Sequence, residues 1–240
     1  MPNTDRNNQQ STARIVGLTL LATITVGIFT AMFAFQGLDV NMSADVAGTA
    51  ENMLQAETHL RAKAYLGLLI FAFEATIGVG LYLLLNKSGP FLAGWSLFAS
   101  LGAAVITLLG ATFAMNGAHI ASNEAYTNFT DESGRLMLSS LQATSDYTSF
   151  HLGLIVSSAA NAGFFYLFLK SGQLPKLIAV WGLLASLFVA IVILTRDFLP
   201  ALGNDSVTAA FMISNLIALI SLGFYLSLKG VKTPSKLSDT

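Results

Sequence analysis

Polar and apolar positions along this chain fall into long separate blocks. Six apolar runs stand out, at 15–35, 64–85, 91–115, 152–169, 177–194 and 207–228. A helix needs roughly 20 mostly apolar residues to cross the hydrocarbon of a bilayer, and every run is long enough, 152–169 and 177–194 only just. The pattern predicts an all-α, polytopic membrane protein: a six-transmembrane-helix bundle. Residues 1–13 are polar and read as a disordered cytoplasmic tail, 14–229 as the transmembrane domain and 230–240 as a second cytoplasmic tail. Arg6 and Arg14 precede the first run, as they would a signal peptide. That run is too long for the apolar core of a signal and lacks a clean small-residue cleavage site, so a retained helix is expected.

Two connections are tight, 86–90 and 170–176, and in each Gly and Pro close one helix and open the next. Two others are long. Residues 37–63 carry Met42, Val46, Met53, Leu54 and Leu60 at roughly helical spacing. Residues 116–150 contain Thr130, Asp131 and Glu132, a capped acidic first turn, ahead of Leu136, Met137 and Leu141. Both are expected to hold amphipathic helices that lie on or cap the outer face.

The ends of three runs resemble one another. They read YLLLNKSG from Tyr82, YLFLKSG from Tyr166 and YLSLKG from Tyr225. The first two continue alike, through Pro90 to GWSLFASL from Gly94 and through Pro175 to VWGLLASL from Val180. This is the mark of a weak two-helix parallel repeat. Aromatic belts and snorkelling lysines generate similar ends without duplication.

Composition agrees with a bilayer environment. Hydrophobic residues make up 54% of the chain and charged residues 10%, whereas a soluble domain carries about 25% charged residues. The formal net charge of −1 leaves no bulk basic footprint, so nucleic acid is not an expected partner. There is no cysteine, which removes disulfides, thiolate nucleophiles, iron–sulfur clusters and cysteine–zinc sites. Lysine and arginine are divided unevenly. Arg6, Arg14, Lys87, Lys170, Lys176, Lys229, Lys232 and Lys236 lie on one side, and Arg61, Lys63, Arg135 and Arg196 on the other. The positive-inside rule then places both termini in the cytoplasm of a multi-pass cell-membrane protein.

The chain resembles a family of bacterial multi-pass proteins, the domain-of-unknown-function 4386 family. The similarity rests on TARIVGLTLLATITVGIF from Thr12, AENMLQAETHLRAKAYLGLLIFAFEATIGVGLYLLL from Ala50 and, above all, YLFLKSGQLPKLIAVWGLLASL from Tyr166. It extends from about Thr12 to Leu228. The resemblance implies a multi-pass protein of the bacterial inner membrane and carries no activity with it. Members of that family often have a histidine in the middle of the fourth helix, where this chain reads SSAANAGFF from Ser157.

Glu74 is the most informative residue for chemistry, because it stands about halfway along the second run. A charged carboxylate there costs roughly 2.5–3.5 kcal/mol on insertion scales, so it must be neutral, paired or in a wet cavity. Ser158 and Asn161 of the fourth run and Ser214 and Asn215 of the sixth lie within about 9 Å of its depth at ~1.5 Å per residue. These residues define a candidate intramembrane polar pocket of Glu74, Ser158, Asn161 and Asn215. The alternative is a carboxyl that only joins helices. The three histidines, His59, His119 and His151, all fall near one membrane face. Three imidazoles at one depth suit a zinc or copper site with an open position, although none belongs to a motif of fixed spacing. No P-loop, nucleophile elbow, dinucleotide fingerprint or kinase pattern occurs. Asn128 begins a glycosylation acceptor, which matters only in a glycosylating secretory pathway.

Three functions follow as expectations. The first is non-enzymatic binding or transport of a small or lipidic molecule around Glu74, with no resident cofactor. The second is a metal-dependent membrane enzyme built on the outer-face histidines. The third is an accessory subunit whose small-residue helix faces pack on a partner. Expected partners are membrane lipids and a second copy of the chain or another membrane subunit.

Overall fold

A computed structural model describes residues 2–35, 37–38, 46–122, 130–196 and 198–232. Its helices are α1 (Pro2–Phe29), α2 (Val46–Met53), α3 (Glu57–Leu85), α4 (Pro90–Ala121), α5 (Glu132–Ser171), α6 (Lys176–Arg196) and α7 (Asp205–Leu228). A π-helical turn, Thr30–Ala34, extends α1, and a 3₁₀ turn, Pro200–Gly203, precedes α7. There is no strand among the described residues. Six helices are long and apolar enough to span a membrane: all but α2. The protein is an all-α, polytopic membrane bundle.

Turn chemistry sets the helix limits. Pro90 is the first residue of α4, where its missing N–H costs nothing. Gly172 and Gly230 end α5 and α7 at φ +66° and +69°, a backbone region that favours glycine. Asp131 caps α5 by accepting the Gly134 N–H at 2.9 Å.

The structure departs from the expected boundaries at two places. Residues 2–13, read as a polar tail, are helical and continue into the first span. The segment 116–150, expected to hold a separate amphipathic helix, is divided between the end of α4 and the first half of α5. Nothing interrupts that half of α5, because α5 contains no proline and Ser139, Ala143, Ser149 and Gly153 bury one face. At ~1.5 Å per residue its 40 residues reach about 60 Å, twice the ~30 Å of hydrocarbon. A short helix does form within 37–63, as α2. Met42, Asn128 and residues 233–240 lie outside the described residues.

The chain divides into two compact units. The first comprises Met1–Ile24, Phe73–Gly102 and Ile155–Thr240. Its core is formed by Val16, Leu85, Phe165, Phe168, Leu174 and Leu226, each 2% exposed or less. Small residues let its helices approach closely, as expected where lipid removes the hydrophobic drive between helices. A side chain on Gly17 would strike the Ser227 amide at 2.5 Å and the Gly223 carbonyl at 2.7 Å, so α1 and α7 cross backbone to backbone. Gly80 receives Val16, Gly163 receives Ser96, and Gly182 receives Phe165.

One end of this unit is tied by amide hydrogen bonds. The Gln10 side chain donates to the Val231 carbonyl at 2.7 Å and accepts the Val231 N–H at 3.2 Å. The Lys232 N–H donates to the Gln173 carbonyl at 2.9 Å, and Gln173 Nε2 donates to the Leu84 carbonyl at 3.3 Å. The start of α1, the end of α3, the α5–α6 turn and the end of α7 therefore share this end.

The second unit comprises Thr25–Ala72 and Ala103–Leu154. Its core is smaller and rich in alanine: Phe35, Leu38, Met53 and Leu60 with Ala64, Ala114, Ala118 and Ala143. Polar contacts fasten its segments. Lys63 Nζ binds Asp146 Oδ2 at 2.9 Å and the Leu38 carbonyl at 3.1 Å. The Asp146 carboxylate lies against Gly110, where any side chain would collide with it. Ser139 Oγ donates to the Ala50 carbonyl at 2.9 Å and holds α2 against α5. Arg135 donates to the Ile120 and Ala121 carbonyls, both at 3.3 Å, and so closes the end of α4.

Candidate functional site

Glu74 lies on the stripe of α3 that continues through Gly78, Leu81 and Leu85, all of them buried. One turn beyond it, α3 and α4 approach at Gly78, where an added Cβ would sit 3.1 Å from Ser100 Oγ. Helical periodicity therefore turns the carboxyl toward the packed side of α3, yet the residue remains partly exposed. No ion pair or hydrogen bond joins Glu74 to another described residue. A carboxyl that only joins helices should have such a partner.

The other expected pocket residues belong to the same unit. Ser158 is buried on α5, and Asn161, one turn on, is partly buried. Asn215 is partly buried on α7, its Oδ1 is enclosed, and it has no hydrogen-bond partner among the described residues. No hydrogen bond links Glu74, Ser158, Asn161 and Asn215 to one another.

Three further groups share this condition, one of them Gln173 Oε1 between α5 and α6. The hydroxyls of Ser96 on α4 and Ser186 on α6 are fully buried and without a partner among the described residues. Ser96 fills the notch over Gly163. The repeat held a signal for one of them, since Ser100 and Ser186 occupy the same place in GWSLFASL and VWGLLASL. Among the described residues the unit thus holds, on helices long enough to span a bilayer, one carboxyl without a partner and three enclosed polar atoms. Each has hydrogen-bonding capacity that hydrocarbon cannot meet.

The histidines lie in the second unit. His59 and His119 are exposed. His151 is partly buried, with Nδ1 2.8 Å from the Tyr147 carbonyl oxygen and its ring centroid 4.1 Å from that of Tyr147. Among the described residues, no three His, Asp or Glu side chains are grouped as metal ligands would be. Three residues near one depth in sequence need not meet laterally, since each helix is free to turn its histidine a different way.

The sequence reading missed the most enclosed charged pair, Lys63 with Asp146, whose side chains are 16% and 13% exposed. Its partners are 83 positions apart, and no local pattern connects them.

These features define a multi-pass α-helical membrane protein with polar groups set into its spanning helices. Residues 15–230 match the family described as Domain of unknown function (DUF4386), and the chain belongs to that family. No curated protein and no solved structure matches the chain.

Proposed function

We propose that this membrane protein is non-enzymatic and binds or passes a small or lipidic molecule bearing hydrogen-bond donors, with Glu74 as the principal contact. The observation that carries the reading is a mid-span carboxyl with no partner among the described residues. Held charged, such a residue costs roughly 2.5–3.5 kcal/mol, so it is either neutral or meets water or a polar group outside the described residues. Asn215 Oδ1 can only accept hydrogen bonds, and the Ser96 and Ser186 hydroxyls can accept or donate. A guest with a hydroxyl or amine suits the partly exposed Glu74 carboxyl better than a bare hydrocarbon does.

The test uses amphiphiles that differ only in their polar group. Dodecylamine and dodecanol should raise the melting temperature of the detergent-solubilised chain, and dodecane should not. Glu74→Gln should fold as well as the parent and lose the response. Glu74→Lys should assemble poorly. The idea fails if parent and Glu74→Gln respond alike to all three compounds. Cross-linking of Glu74→Cys between copies would instead assign the carboxyl to a subunit contact.

The excess of lysine and arginine at one end supports a cell-membrane orientation with both termini cytoplasmic. A cysteine introduced at Ser133 should react with an impermeant thiol reagent on intact cells, and one at Ser88 should not. The opposite pattern inverts the orientation.

A further inference from the structure

The first unit carries a groove between α1 and α3 whose lining does not include Glu74. It has a volume of about 440 Å³ and is lined by Thr12, Ile15 and Val16 on one side and by Ala75, Thr76, Val79, Gly80 and Leu83 on the other. The crossing of Val16 over Gly80 forms its floor. Ile15, Val79 and Leu83 are 52%, 44% and 54% exposed, so its walls open outward, which on a spanning helix means toward lipid. From Ala75 to Leu83 it runs about 12 Å along α3 at ~1.5 Å per residue.

Its two ends differ chemically. The Ala75 end lies deep in the spanning segment. The Thr12 and Leu83 end opens toward the part of the unit tied by Gln10, Val231 and Gln173. Lys87 is exposed one turn beyond Leu83, and Asn8 is exposed one turn before Thr12. Arg6, Arg14, Lys170, Lys176 and Lys229 are also exposed at this end, and the acid in the same stretch of α1 is Asp5. Arg14 stands on the far side of α1 from the groove, whereas Lys87 follows one turn after the groove wall at Leu83.

We propose that the groove between α1 and α3 seats an acyl chain of an anionic phospholipid, whose headgroup is held by Lys87 at the mouth of the groove within a rim of cations. The apolar walls suit a chain and give a soluble anion nothing to bind. The rim attracts negative headgroups, and Lys87 fixes one of them above the chain it belongs to. The site is independent of Glu74.

Native mass spectrometry of the full chain in dodecyl maltoside, titrated with phosphatidylglycerol or phosphatidylcholine, tests this. One phosphatidylglycerol should be retained at concentrations that leave phosphatidylcholine unbound. Lys87→Gln should weaken retention about fivefold, the loss expected of one cation near a headgroup, and Lys176→Gln, at the start of α6, should have little effect. Val79→Trp fills the groove and should abolish retention. Should that variant not fold, Thr76→Phe serves the same purpose. Glycerol phosphate, the headgroup without chains, should not compete. Equal retention of the two lipids, or displacement by glycerol phosphate, overturns the proposal. So does a disulfide-linked dimer of Val79→Cys in native membranes, which would give the groove to a second copy.

Discussion

The two units of this protein are held together by different means. In the first, large apolar side chains and bare glycines bring helices into close contact, and several polar atoms are left without partners. In the second, the apolar core is smaller and segments are joined by named polar bonds: Lys63 to Asp146, Ser139 to Ala50, Arg135 to the end of α4. The contrast follows from solvent. Between spanning helices, lipid is as apolar as leucine, so contact depends on shape and on small residues. The second unit includes the polar first half of α5, where ion pairs and side-chain caps become useful fasteners. The lesson is that unpaired polar groups in the first unit stand out because its long-range polar ties gather at one end, at Gln10, Gln173 and Val231, while its helices otherwise cross by shape.

The comparison breaks most readily at Lys63. Removing one member of a largely buried pair leaves the other charge buried, at a cost of about 3–5 kcal/mol. Lys63→Met should therefore lower denaturation stability by that order. Hydrogen exchange should rise first in α2 and the start of α5. Exchanging both partners, as Lys63→Met with Asp146→Leu, should restore most of the loss. If the single change is silent, polar fastening does not hold the second unit. The exposed Glu57–Arg61 pair, 42% and 37% exposed, serves as a contrast: such pairs contribute only about 0.3–0.5 kcal/mol.

Gly17 is the corresponding point in the first unit. Its neighbours are backbone atoms of α7, which cannot rotate away, so Gly17→Val should cost near the upper end of the ~1–3 kcal/mol typical of overpacking. Gly94, with no atom within 4 Å of an added Cβ, gives the smallest effect. Gly94→Ala should be neutral or should stabilise α4 by about 0.5–1 kcal/mol, through lost backbone freedom in the unfolded chain. Equal responses at Gly17 and Gly94 would show that close helix crossing does not hold this unit.

Hydropathy located all six spans, since a bilayer imposes a minimum length of apolar chain that local composition reveals. The caps at Pro90 and Asp131 and the left-handed turn at Gly172 were readable too, because each acts within a few residues. The presence of Glu74 halfway along a span was equally plain, and with it the most suggestive residue for function. Which way each helix faces was not legible. A spanning helix is apolar toward lipid and apolar toward its neighbours, so no stripe marks the packed side. Tertiary structure alone therefore decided that Gly80 receives Val16 while Gly94 receives nothing, that the three histidines form no metal-ligand group among the described residues, and that Glu74 has no partner there. It also decided the pairs set far apart in the chain, Lys63 with Asp146 and Gln10 with Val231, because contacts across 83 and 221 positions depend on how helices meet and not on the order of residues along any one of them.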